Sequence, residues 1–172
     1  MGKSQVENAD AWRDPNPWQP MTDITDLKVL GKYLEEMGEC LEANVTITAP
    51  REAYHLRLEN EIVDVHATIV LVVKRFKLTG VDMTHVFMRT GKAWQLSANL
   101  GRAITAASRC LIQGIEECEP ITKKPNREWL EETISELLDS SVALANILDF
   151  DRVRMLARLR RKLDHLESWH AQ

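Results

Sequence analysis

The chain predicts an all-α fold, a helical bundle of two related halves, and three observations carry that expectation. Apolar residues recur at helical spacing over several long stretches, with capping residues, glycines and prolines between them. With 172 residues and 44% hydrophobic content, the chain has enough apolar side chains for one real core, hence a single domain. Two segments also echo two others. Asn60-Glu61-Ile62-Val63-Asp64 resembles Ser135-Glu136-Leu137-Leu138-Asp139 at an offset of 75, and Leu34 to Glu39 resembles Ser97 to Arg102 at an offset of 63. The two offsets differ by the length of the loop over 114–125, so one helical plan serves pseudo-repeats over about 26–90 and 91–168.

Residues 1–22 hold three prolines and two tryptophans, Trp12 and Trp18. Prolines at that density exclude a helix or a central strand and predict an extended arm, its tryptophans docking on the domain or on a partner subunit. The domain then occupies 23–172. Asp23 or Thr25 offers a cap for a first helix running to about residue 43, and a short β-branched connector leads to Pro50. A long helix is expected over 51–76, ended by Gly80, then a short one over 82–89 punctuated by Gly91. The second half starts near Lys92 and runs to about 113; Ala98, Ala103, Ala106 and Ala107 permit close helix approach. After the loop, Asn126 is a good cap for a helix over 127–147, and the last helix spans 151 to about 169.

Two acidic stretches stand out within that plan. In Glu35-Glu36-Met37-Gly38-Glu39 and Glu61-Ile62-Val63-Asp64 the acids lie one turn apart, so each helix shows a line of carboxylates along one edge. If the helices pack antiparallel with those edges facing, up to five carboxylates converge. Their repulsion in a partly buried site is relieved by a bound divalent cation, and oxygen-only donors favour Mg²⁺ or Mn²⁺ over zinc. The natural second ligand is a polyphosphate. The neighbours Leu34, Met37 and Leu41, and Ile62, Val63 and Val65, set these acids beside core positions, where a carboxylate is costly without a role. The alternative is a pair of solvated acidic faces on a helical interaction protein.

This EExxE followed by ExxD resembles the MazG-like, all-α NTP pyrophosphatase superfamily. The stretch from Arg109 to Ile115, continued from Glu119 through Pro125-Asn126-Arg127-Glu128-Trp129 to Glu131, is similar to phage dATP/dGTP diphosphohydrolases of the MazZ type. Trp18-Gln19-Pro20-Met21-Thr22 and Gly31-Lys32 extend the likeness over most of the chain. Here, though, about 60 extra residues with a second ExxD separate the acidic helix from that stretch.

The resemblance implies hydrolysis of a purine deoxynucleoside triphosphate, dGTP first and dATP second, to the monophosphate and pyrophosphate. It implies two or three Mg²⁺ or Mn²⁺ ions held by Glu35, Glu36, Glu39, Glu61 and Asp64, with Glu35 or Glu36 accepting the proton of the attacking water. A pyrimidine or house-cleaning pyrophosphatase acting on dUTP or dCTP is the rival among enzymes.

In the second half Glu35, Glu36 and Glu39 become Ala98, Asn99 and Arg102, which strips the acid cage. Arg102, Arg109 and Asn126 then become candidates for phosphate or base, while Glu136 and Asp139 either contribute or are relics on a solvated helix. Lys74 and Arg75 are candidates for a terminal phosphate, and Trp18 is a candidate wall of a base pocket; for each, a surface or anchoring role is the plainer alternative.

Other signals are weaker. The net charge of -4 gives no pull toward nucleic acid, and no apolar run approaches membrane-spanning length. No P-loop is present. Three cysteines without zinc spacing read as reduced thiols, and a cytoplasmic, homo-oligomeric protein is expected. His66 reads as packing or surface, and the basic residues of the last helix as a charged outer face.

Overall fold

The computed structural model describes residues 26–46 and 50–168. Five α-helices account for most of them: α1 (Asp26–Val45), α2 (Arg51–Phe76), α3 (Leu96–Gln113), α4 (Asn126–Ile147) and α5 (Arg152–Ser168). Two 3₁₀ turns, Val86–Met88 and Ala93–Gln95, interrupt the linker between α2 and α3. No strand occurs among the described residues, and a single bridge, Cys118 to Pro125, closes the α3–α4 loop. The fold is all-α.

Helix α1 forms because Val29, Leu30, Tyr33, Met37, Cys40 and Ala43 recur at three- and four-residue spacing and bury one stripe. That stripe packs on α2, making the first hairpin, and also meets α3. Helices α3 and α4 make the second hairpin through Leu96, Leu100, Ala103 and Ala107 against Leu130, Ile134, Leu137 and Leu138. Of the small residues of α3, Ala103, Ala106 and Ala107 are buried, whereas Ala98 is exposed. Helix α5 lies along α2, so α2 is covered by α1, α4 and α5 and is buried without a break from Ile62 to Val72. One hydrophobic cluster takes side chains from all five helices.

Long-range polar contacts give the directions. The Asn44 amide donates to Ser97 Oγ at 2.7 Å, joining the end of α1 to the start of α3. At the opposite end, Arg75 meets Asp26 at 2.8 Å and Arg127 donates to the Phe76 carbonyl at 2.5 Å, joining the end of α2 to the starts of α1 and α4. The linker 77–95 must therefore climb the bundle, and it does so along α4. Gly91 sits so close there that a Cβ would come within 2.6 Å of the Asp139 backbone. In the register of the expected repeat, His66 and Ser141 are equivalent; they meet in the interior, where His66 Nε2 and Ser141 Oγ share a hydrogen bond of 2.8 Å. Burial lowers the His66 pKa to about 3, so the ring is neutral.

Several local expectations need correction. Helix α2 ends at Lys77, which takes the left-handed conformation (φ 52°) and returns its N–H to the Val73 and Lys74 carbonyls, so Gly80 is not the cap. The short helix expected over 82–89 shrinks to one 3₁₀ turn, because Arg89 is drawn across to Asp139 and the Asp82 carbonyl. Asn126 is the first residue of α4, not its side-chain cap. Asp151 does cap α5, accepting from the N–H groups of Val153 and Arg154 at 2.9 and 3.1 Å. The arm 1–22 with Trp12 and Trp18, the cap at Asp23 or Thr25, and Trp169 lie outside the described residues.

Candidate metal centre

Glu36 falls within the apolar stripe of α1, between Tyr33 and Cys40, and is therefore fully buried. Glu39, one turn on, reaches the edge of the same face, and Glu61 approaches from α2. One carboxylate oxygen from each of Glu36, Glu39 and Glu61 lies within 4.8 Å of the other two. Donors of a six-coordinate Mg²⁺ about 2.1 Å from each oxygen lie about 3.0 Å apart where adjacent and about 4.2 Å apart where opposite, so the three carboxylates would draw inward to close on an ion. Asp64, one turn beyond Glu61, is also buried. The donors are all hard oxygens. Cys40 is at the back, but burial first, and then Glu61 and Glu36, push its thiol pKa far up and keep it protonated.

The charges around the acids are unevenly shared. Lys32 and Lys162 both reach Glu36 Oε1, at 2.7 and 2.9 Å. Arg158 grips Asp64 with two bonds of 3.0 and 2.7 Å, and Lys162 adds a third at 3.1 Å. No basic side chain among the described residues lies within ion-pair distance of Glu39 or Glu61. Glu36 Oε2 and Glu61 Oε2 are buried without a hydrogen-bond partner. Burial raises the Glu61 carboxyl above its ordinary range, with Asp64, Glu39 and Glu36 adding to the rise and Arg158 opposing it. The cluster thus keeps a deficit of positive charge centred on Glu39 and Glu61.

Of the five predicted metal ligands, Glu36, Glu39 and Glu61 come together and Asp64 stands behind them. Glu35 does not join the set. Its side chain is 54% exposed and pairs with Lys32 at 2.9 Å. Lys74 and Arg75 are about three turns past Asp64, roughly 15 Å along the helix, and Arg75 is engaged by Asp26. Asn126 is buried and donates to the Gly114 carbonyl at 2.9 Å, tying the loop to the start of α4.

Arg102 and Arg109 lie on the second hairpin. They line a cavity of about 390 Å³ with Lys124, Trp129, Glu119 and Glu132, and Arg109 stacks 4.9 Å from the Trp129 ring centre. Arg102 also borders a cavity of about 260 Å³ with Asn99, Glu136 and Asp139. Neither cavity is lined by any of the first hairpin's acids. The acids of the second hairpin are partly exposed and paired: Arg102 binds Glu136 at 2.5 Å and Arg89 binds Asp139 at 2.6 Å.

The basic groups missed by reasoning from sequence are Arg158, Lys162 and Lys32. The last helix is not simply a charged outer face. Arg154, Arg158 and Lys162, spaced by four, form one inward stripe: Arg154 meets Glu59 and Arg158 meets Asp64 on α2, and Lys162 meets both Asp64 and, on α1, Glu36. That spacing is visible in the sequence, but the stripe is indistinguishable from a solvated one until its facing helix is known. Lys32 stands four residues before Glu36, a legible i,i+4 partner. No family model, curated protein or solved structure matches the chain.

Proposed function

We propose that the chain is a Mg²⁺- or Mn²⁺-dependent nucleoside triphosphate pyrophosphohydrolase acting on purine deoxynucleotides, with dGTP the first substrate to test and dATP the second. The observation that carries this reading is the convergence of Glu36, Glu39 and Glu61, one of them fully buried, with no ion-pair partner for Glu39 or Glu61 among the described residues. The motif resemblance supplies the reaction class. When bound, the divalent ions neutralise charge on the phosphates and make water a better nucleophile near neutral pH.

In the reaction, a water oxygen attacks the α-phosphorus, the bond from that phosphorus to the bridging oxygen breaks, and pyrophosphate leaves. Glu36, Glu39 and Glu61 would hold the ions, and Asp64, oriented by the Arg158 fork, would complete the acid wall. Of the two acids that the resemblance offers as proton acceptor, Glu36 lies in the three-carboxylate set, whereas Glu35 is exposed and paired with Lys32. The active form is proposed to be a homo-oligomer, to be read by light scattering on a sizing column.

The test is pyrophosphate release from a nucleotide panel with Mg²⁺, by wild type, Glu39→Gln and Asp64→Asn. The expected result is release from a purine deoxynucleotide that both variants lose while retaining wild-type circular dichroism. Unaltered rates in both variants would remove the site.

One observation favours a second reading, a helical interaction protein: the pairs that Lys32, Arg158 and Lys162 make with the acids are what a purely structural charge network contains. That protein shows no rise in melting temperature with Mg²⁺ or Mn²⁺, whereas the enzyme does.

A further inference from the structure

The three cations at the acidic cluster are not held alike. Arg158 meets Asp64 through a planar fork, two nearly parallel bonds to one carboxylate, a geometry that fixes its direction. Lys162 is a single point charge on a flexible stem, placed between two helices: 2.9 Å from Glu36 on α1 and 3.1 Å from Asp64 on α2. Its side chain keeps 20% of its exposure, while its two partners are buried. Glu36 Oε2, on a side chain with no exposure, still lacks a donor, so the lysines leave half of that carboxylate unsatisfied.

We propose that Lys162 is an exchangeable counter-cation: it neutralises Glu36 and Asp64 in the metal-free protein and transfers to the phosphate oxygens of the substrate when divalent ions enter. The inference rests on the functional reading above and adds a residue to it. A divalent ion at Glu36 removes the field that holds the ammonium, and a triphosphate arriving beside it brings a replacement set of anionic oxygens. The four-carbon stem lets the charge swing without moving α5, whose Leu159, Leu163 and Leu166 stay anchored in the core. Arg158 remains on Asp64, so α5 keeps its register during the exchange. Lys162 is therefore a competitor of the metal and a ligand of the nucleotide, two roles with opposite signs.

Lys162→Met, which keeps the stem and removes the charge, tests both. Mn²⁺ alone, titrated by calorimetry, is expected to bind about fivefold tighter to the variant. α,β-Imido-dGTP, titrated at saturating Mn²⁺, is expected to bind about tenfold weaker. Lys162→Arg, which keeps a charge, returns Mn²⁺ affinity to the wild-type value and covers the case in which the methionine variant melts early. Arg161→Met, at an exposed neighbour, moves neither. Unchanged or weaker Mn²⁺ binding in Lys162→Met, or unchanged binding of the analogue, overturns the exchange while leaving the enzyme reading intact. Absence of Mn²⁺ binding by the wild type overturns both.

Discussion

On α1 and α2, Glu39 and Glu61 stand together with no cation in ion-pair reach among the described residues; at the positions of α3 and α4 that the expected repeat would pair with them, Arg102 and Glu136 are joined at 2.5 Å. The neighbouring pair contrasts in the same way. Glu36 is a buried acid, whereas its counterpart Asn99 donates its amide to the Glu136 carbonyl at 3.0 Å. The aspartates behave alike in both hairpins. Asp64 is held by Arg158 from the segment that follows α4, and Asp139 by Arg89 from the segment that follows α2. Each hairpin thus receives its arginine from the chain following the other. The second hairpin supplies its own cation where, among the described residues, the first leaves Glu39 and Glu61 without an ion-pair partner, and that position is where the proposed metal would sit.

The largest effect is expected from giving the first hairpin the design of the second. Glu39→Arg should abolish the Mn²⁺-dependent rise in melting temperature and cut pyrophosphate release by about 100-fold or more, while the metal-free protein melts no lower than wild type. Survival of the metal-dependent shift in that variant would break the contrast between the hairpins. The converse change, Asn99→Glu with Arg102→Glu, removes an ion pair and an amide bond and sets new carboxylates against Glu136. Metal-free stability by urea unfolding should fall by roughly 2 kcal/mol, and Mn²⁺ should restore part of it. No recovery would show that the first hairpin has something more than its acids.

The crossing of the hairpins gives the next effect. Ser141→Ala deprives His66 of its bond and should cost about 1 kcal/mol in unfolding free energy. Because the folded pKa of His66 lies below the unfolded value of 6.5, the unfolded state takes the proton first; stability present above 6.5 is lost as pH falls toward about 3. The smallest effect comes from Glu61, which is partly exposed, and has the opposite sign. Its folded pKa is raised, so its contribution is present below the unfolded pKa and is lost as pH rises through the folded one. Unfolding curves without metal should show that loss, and Glu61→Gln or saturating Mg²⁺ should flatten it.

Long elements were the legible ones. The helix over 51–76 and the loop over 114–125 follow from strong periodicity and strong punctuation, and both stand as read. Short segments failed where a distant partner intervenes: Arg89 reaching Asp139 overrides helical propensity over 82–89, and the loop carbonyl of Gly114 captures the side chain of Asn126 that would have capped α4. For the site, the i,i+3 spacing of Glu36 and Glu39 places both on one face, which is a property of any helix. Glu35 stands one residue round the helix, about 100° away, and is turned out of the set.

What the sequence determined alone is the helical class and the lines of acid along α1 and α2, because both follow from a period of 3.6 residues acting over neighbours. Which cations meet those acids was decided only by the tertiary structure. Arg158 and Lys162 are more than ninety positions from Asp64, and only the docking of α5 along α2 converts a basic stripe that resembles any solvated helix into the counter-charge of a buried carboxylate cluster.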